Sequence, residues 1–226
     1  PLFVDIANYT DFYRLRAGVS GGAEPAQYRN GYRRYDWPAA HAPSVIAGPA
    51  VVFGLFGCNG GVQVPLNPID FRPYLRAVFA GLVGQLGPGG SADALPPSTR
   101  FELGPEPPLS PLFNGLPGQA VPVPRVDGDA QPIGGVRFVD VELPLGRLTP
   151  VSIPPVGTTS INDVCGNFGG YQPFLTTELQ TRYGTVADYT ARVNAQLDVL
   201  TSAGYVLAQD RATIVAALVA AFQAAP

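Results

Sequence analysis

The chain has 226 residues, 46% hydrophobic and 14% charged, with a net charge of −3. That length holds one large domain or one and a half ordinary ones, and the apolar fraction suffices for a core. All 14 basic residues are Arg, and Arg33-Arg34 is the one adjacent pair, so there is no basic stripe of the kind that binds nucleic acid. The 27 Gly and 25 Pro are scattered without a repeat, which reads as long ordered loops, not as collagen or a linker. Met is absent and the chain opens Pro1-Leu2-Phe3-Val4, so a processed or clipped piece is expected. The opening residues read as a strand and lack the charged and apolar regions of a signal peptide.

Residues 2–8 read as a buried strand, and Tyr9-Thr10-Asp11 begins the loop after it. Residues 28–37, rich in aromatics, are a second strand closed by Pro38. The longest apolar run, 45–58, is broken by Gly48, Pro49, Gly54 and Gly57 and is too short to cross a bilayer. Asn67-Pro68-Ile69-Asp70 reads as a helix start and nothing more. Over 70–86, Leu75, Val78, Phe79, Leu82 and Leu86 recur at helical spacing, and Gly87 is the expected stop. Strand, loop, strand, loop, helix is the order expected at the end of a parallel α/β sheet.

From 88 to about 157 periodicity is lost and Pro is dense. Residues 137–143 offer one short strand, and Phe101, Leu112, Phe113 and Phe138 argue for partial burial of an extended wrap. In the last third, Thr185 and Asp188 resemble a capping box ahead of Tyr189, Val193, Leu197 and Leu200, with Gly204 as the C-terminal cap. Asp210 is the expected cap of a final helix carrying Ile214, Leu218 and Phe222. These two helices form a packing hairpin. The expected division is therefore 1–87, a sheet-end core; 88–157, the wrap; and 158–226, a Cys-containing loop and the hairpin.

The single His, His41, stands among Ala39, Ala40, Ala42 and Pro43, small neighbours that leave an imidazole accessible. A lone His is more often structural than catalytic, but this one follows a strand. Asp11 precedes it by 30 residues and follows the other strand. Asp then His is the back half of a Ser…Asp…His relay in its α/β-hydrolase order. His41 is the expected general base and Asp11 the acid that orients it. The bland alternative for Asp11 is a carboxylate capping a helix or turn, and Asp5 and Asp36 are weaker competitors because they lie on strands. A literal Gly18-Val19-Ser20-Gly21-Gly22 occurs, but its flanks read as loop and it follows Asp11, so Ser20 is not read as the nucleophile.

Two cysteines, Cys58 and Cys165, sit in Gly-rich settings. With one His and distant Cys a metal site is not expected, and no cofactor is. A Cys58–Cys165 disulfide is the favoured reading and implies an oxidising compartment. Two inert thiols, or Cys58 as a thiol nucleophile, are the alternatives. Phe53, Phe56, Phe168 and Tyr171 are candidates for an apolar acyl pocket.

Tyr9-Thr10-Asp11, Tyr32-Arg33-Arg34-Tyr35-Asp36-Trp37-Pro38-Ala39-Ala40-His41 and Asn67-Pro68-Ile69-Asp70-Phe71-Arg72-Pro73-Tyr74-Leu75-Arg76-Ala77 resemble a family of large bacterial proteins known as alpha/beta hydrolase domain-containing proteins. Val164-Cys165-Gly166, Gln172-Pro173-Phe174 and Arg182-Tyr183-Gly184-Thr185-Val186-Ala187-Asp188-Tyr189 extend the resemblance over nearly the whole chain. It implies the C-terminal part of an α/β-hydrolase sheet, its last two strands and following helix. The serine elbow and oxyanion hole would lie upstream, on an N-terminal portion of the same precursor. His41 matches the family's His and Asp11 its acidic position. Two departures stand out from what the resemblance implies: relatives often carry a further acid where this chain has Tyr9, and often Gly where it has Ala39.

The expected function is a secreted or periplasmic serine ester hydrolase acting on a small-molecule or polymeric ester, with no nucleic-acid partner and no membrane span. Its ester chemistry is an analogy from fold. The alternative is a non-catalytic, disulfide-stabilised binding or structural module.

Overall fold

The computed structural model describes residues 2–14, 32–40, 58–62, 64–91, 94–104, 122–152, 165 and 168–226. Helices and small sheets combine into an α/β protein with two compact units. One comprises Pro1–Asp70, Thr99–Val136 and Arg147–Gln172; the other comprises Phe71–Ser98, Arg137–Gly146 and Pro173–Pro226.

In the first unit, strand β1 (Phe3–Asn8) lies parallel to strand β2 (Tyr32–Trp37), in a register running from Phe3↔Tyr32 to Asn8↔Trp37. The residues expected to start a loop after β1 instead form helix α1 (Tyr9–Arg14). Its start is closed by Asp11, whose Oδ2 accepts a hydrogen bond from the Asn8 amide at 2.6 Å, satisfying a donor that a helix start otherwise leaves open. Tyr9, Phe12 and Tyr13 are buried, and the first two meet Phe101 edge-on at 6.0 and 5.3 Å between ring centres. On the far side of β2, Thr99 bridges Tyr35, donating to the Arg34 carbonyl and accepting from the Asp36 amide.

An ionic network, buried at Arg34 and Asp36 and half-exposed at Asp5, ties the parallel pair. Arg34 donates from Nε to Asp36 at 2.8 Å and from a terminal nitrogen to Asp5, its register partner on β1, at 3.0 Å. The second oxygen of Asp36 accepts from the Phe101 amide at 2.9 Å. Burial raises the Asp36 carboxyl above its ordinary range, opposed by Arg34 and that amide. Gly135 (φ +66°) packs so closely that a Cβ would stand 2.5 Å from the Phe101 ring and 2.6 Å from the Asp36 carbonyl.

The short strands β3 (Leu103–Gly104) and β4 (Val123–Pro124) pair antiparallel. Beyond them, Val139–Glu142 forms helix α3 of the second unit, preceded in the chain by helix α2 (Arg72–Leu86). Helix α3 replaces the strand expected over 137–143, although Val139 and Val141 alternate with Asp140 and Glu142 as a strand's residues would. One helical turn buries both valines instead, with the Leu143 amide bonded to the Val139 carbonyl. Strands β5 (Gly146–Thr149) and β6 (Gly170–Pro173) make a third pair, and Leu66 bridges Gly170. In the first unit Cys58 is disulfide-bonded to Cys165, as favoured from the sequence, across 107 residues.

Helix α2 opens with Pro73 in its first turn and ends before Gly87, as expected, although Gly87 is extended, not left-handed. Its buried face differs from the expected one. Pro73, Tyr74, Ala77, Val78 and Gly81 point inward, while Phe79 is 58% exposed and Val83 and Leu86 are each 73% exposed. Close approach decides this: Tyr74 stacks on Phe138 at 3.5 Å, and a Cβ on Gly81 would stand 2.7 Å from the Ala94 carbonyl. Small residues admit these neighbours where leucines would not.

The second unit closes with α4 (Thr176–Tyr183), α5 (Val186–Ser202) and α6 (Arg211–Gln223). Tyr189, Val193, Leu197, Leu200, Ile214, Leu218 and Phe222 are all buried, the expected hairpin seam. At its C-terminus α5 has Gly204 at φ +81°, the Gly204 amide on the Thr201 carbonyl and the Tyr205 amide on that of Leu200, a Schellman cap. Asp210 does not cap α6 through its side chain. Its carboxylate is held by Arg76 of α2 at 2.7–3.2 Å, linking that helix to the hairpin.

The Thr185–Asp188 capping box is present: the Thr185 amide donates to Asp188 at 2.9 Å and the Asp188 amide to the Thr185 hydroxyl at 3.2 Å. Thr185→Ala is expected to destabilise the protein by about 1 kcal/mol in denaturant titration. The Thr185 hydroxyl and amide hold the Asp188 carboxyl below its ordinary range. A lowered carboxyl stabilises fully above its unfolded-state pKa, and the effect is lost as pH falls through its folded-state value. The difference in Tm between wild type and Asp188→Ala is therefore expected to stay constant near neutrality and shrink on acidification; a difference that grew in acid would contradict it.

Candidate active site

In open α/β sheets ligands collect at the carboxyl ends of the strands. Because β1 and β2 are parallel and Asn8 pairs with Trp37, their carboxyl ends lie side by side. Asp11 comes three residues after the first, and Pro38-Ala39-Ala40 leads from the second toward His41. Asp11 is buried, in the first turn of α1, with Oδ2 on the Asn8 amide. That bond is the capping role given above as the bland alternative for Asp11. His41 itself lies outside the described residues, as do Ser20 with its Gly18–Gly22 motif, Phe53, Phe56, Leu112 and Phe113.

The segment leading to His41 is held by bonds from two directions. The Tyr9 amide, at the start of α1, donates to the Ala39 carbonyl at 3.0 Å. The Asn67 side chain donates to the Pro38 carbonyl at 3.2 Å. Ala39 and Ala40 are buried, and a Cβ on Gly169 would press on the Ala40 methyl at 3.1 Å and the Thr149 carbonyl at 2.9 Å. Asn67 is the residue that sequence reasoning missed. Asn-Pro is a turn signal, but α2 begins only at Arg72, and the Asn67 side chain forms an Asx turn by accepting from the Ile69 amide at 2.9 Å.

The competing acids have structural partners. Asp5 accepts from Arg34 and from the Tyr32 hydroxyl, and Asp36 accepts from Arg34 and the Phe101 amide. Tyr9 is a packing residue. Burial, with Tyr13 beside it, pushes its phenol well above the ordinary range, so it stays neutral. The disulfide removes Cys58 as a thiol nucleophile. Of the candidate pocket aromatics, Phe168 is buried and Tyr171 half-buried.

Among the described residues no group of three or more His, Cys, Asp or Glu is arranged to hold a metal ion, and no helix is long and apolar enough to cross a membrane. A groove in the second unit, lined by Thr190, Asn194, Arg211, Val215 and Val219, carries no acid or base poised for chemistry: Arg211 pairs with Asp198 and the Thr190 hydroxyl bonds the Val186 carbonyl. A family model described as "Alpha/beta hydrolase domain" matches residues 26–216. No curated protein and no solved structure matches the chain.

Proposed function

The chain belongs to the alpha/beta hydrolase domain family, and from that membership we propose that it is the C-terminal chain of a serine ester hydrolase. In this reading His41 is the general base and Asp11 its orienting acid, while the nucleophilic serine and the oxyanion hole lie on upstream polypeptide of the same precursor. His41 takes the serine proton as the hydroxyl attacks the ester carbonyl, then returns it to the leaving alcohol. Water, activated by the same imidazole, hydrolyses the acyl-enzyme. The observation that carries the proposal is the pairing of two strand ends: Asp11 follows one, His41's segment follows the other, and the Tyr9–Ala39 hydrogen bond ties them.

The sheet supports the upstream partner. Parallel sheets are ordinarily covered on both faces and contain several strands. Among the described residues β1 has β2 as its one ladder neighbour, and Phe3 is 54% exposed. A further parallel strand beside β1 would complete the pattern. The disulfide is consistent with a secreted or periplasmic protein.

Fluorophosphonate labelling of the native preparation, followed by denaturing mass spectrometry, tests the reading. The expected adduct sits on a serine of the upstream polypeptide. An adduct on Ser20 would overturn the assignment. No adduct, with no second polypeptide present, would leave a disulfide-stabilised binding module.

A further inference from the structure

We infer that Asn67 is a positioning residue for the general base, acting through the Pro38 carbonyl; the inference rests on the hydrolase reading above. Asn67 is 1% exposed and engaged in three directions. Its amide donates to the Gly169 carbonyl at 2.9 Å, its Oδ1 accepts from the Ile69 amide at 2.9 Å, and its Nδ2 donates to the Pro38 carbonyl at 3.2 Å. The Ile69 bond settles the amide's orientation, because only the oxygen can face an N–H, so the NH2 group must face Pro38.

Pro38 has no N–H and a restricted φ, so its carbonyl is the backbone group by which this turn can be held. The next carbonyl, that of Ala39, is held by the Tyr9 amide. Two successive peptide groups are thus pinned, three and two residues before His41, with the small side chains of Ala39 and Ala40 buried between. The backbone thus reaches the residue before His41 from a held segment. Misplacement by about 1 Å can cost ~100-fold in rate.

The chain separates this task from ordinary folding. Asn67→Asp keeps the Asx turn and the backbone bond to Gly169 but replaces the donor facing Pro38 with an acceptor. Asn67→Ser can retain a hydroxyl acceptor for Ile69 while falling short of Pro38, and it buries no charge. In the intact hydrolase both variants are expected to lower kcat by about 10- to 100-fold with KM nearly unchanged. Active-site titration with fluorophosphonate should still reach full stoichiometry, at a rate reduced in proportion to kcat. A merely structural residue would give the opposite pattern: fewer titratable sites, each with wild-type kcat. If Asn67→Asp fails to fold, Asn67→Ser decides. His41→Ala, assayed beside them, keeps the two claims apart. If it stays active, the assignment of His41 as the base falls and the role of Asn67 with it; if it is dead while Asn67→Ser has wild-type kcat per titrated site, the role of Asn67 alone is overturned.

Discussion

Replacing His41 with alanine in the intact hydrolase is expected to lower kcat/KM for ester turnover by ~10⁴-fold or more, with the circular dichroism spectrum and elution volume unchanged. The size follows from the two proton transfers per cycle that the proposed mechanism gives the imidazole, off the attacking oxygen and then onto the leaving one. What remains without it is the contribution of substrate binding and the oxyanion hole. Asp11→Asn is the informative companion. An asparagine oxygen can still accept from the Asn8 amide, so the start of α1 is preserved, while the negative charge that favours one imidazole tautomer is gone. A fall of about 10⁴-fold is expected there too. If Asp11→Asn retained most activity while His41→Ala did not, the orienting acid would have to be sought elsewhere. Asp5 and Asp36, both engaged by Arg34, would be poor substitutes. Retained activity in His41→Ala would remove His41 from the mechanism.

How far the residues spoke for themselves depended on the length of each pattern. The seam of α5 and α6 was legible because Tyr189, Val193, Leu197 and Leu200, then Ile214, Leu218 and Phe222, repeat over several turns and are bounded by Thr185 and Gly204. β1 and β2 were legible as strands, and their order hinted at a parallel pair. Short elements were not. Tyr9–Arg14 is six residues, too few for a helical stripe to declare itself, and Val139–Glu142 alternates like a strand while forming one helical turn. In α2 the period was visible but not the face, because Phe138 and Ala94–Leu95, which choose it, come from distant sequence. Asp210 stands at the N-cap of α6, but its side-chain partner is hidden for the same reason: Arg76 is 134 residues away. For the candidate site, residue type and strand order named Asp11 and His41. The part proposed for Asn67 rests on its bond to the Pro38 carbonyl, which no local spacing reveals.

The disulfide carries the largest expected effect on stability. A bond closing about 100 residues restricts the unfolded chain enough to stabilise the native state by about 4–5 kcal/mol in the chain-entropy account, and here the separation is 107 residues. Both sulfur-bearing residues are fully buried, so the double variant Cys58→Ala/Cys165→Ala leaves no thiol to oxidise and only a small void. Its midpoint in denaturant is expected to fall by an amount equivalent to that figure. A loss below about 1 kcal/mol, the size of an average substitution, would mean that the bond is not what holds the segment. Activity should be the more sensitive readout. The Cys165 carbonyl accepts from the Ser152 and Phe168 amides, and the following Gly169 carbonyl accepts from Asn67. Gly169 in turn packs against Ala40. Releasing Cys165 therefore loosens the support of the turn that leads to His41 before the core opens. In the double variant, ester turnover is expected to decline at denaturant concentrations where the circular dichroism signal is still native, whereas in the wild type the two curves should coincide. Coincident curves in both proteins would place the disulfide's role in global stability alone.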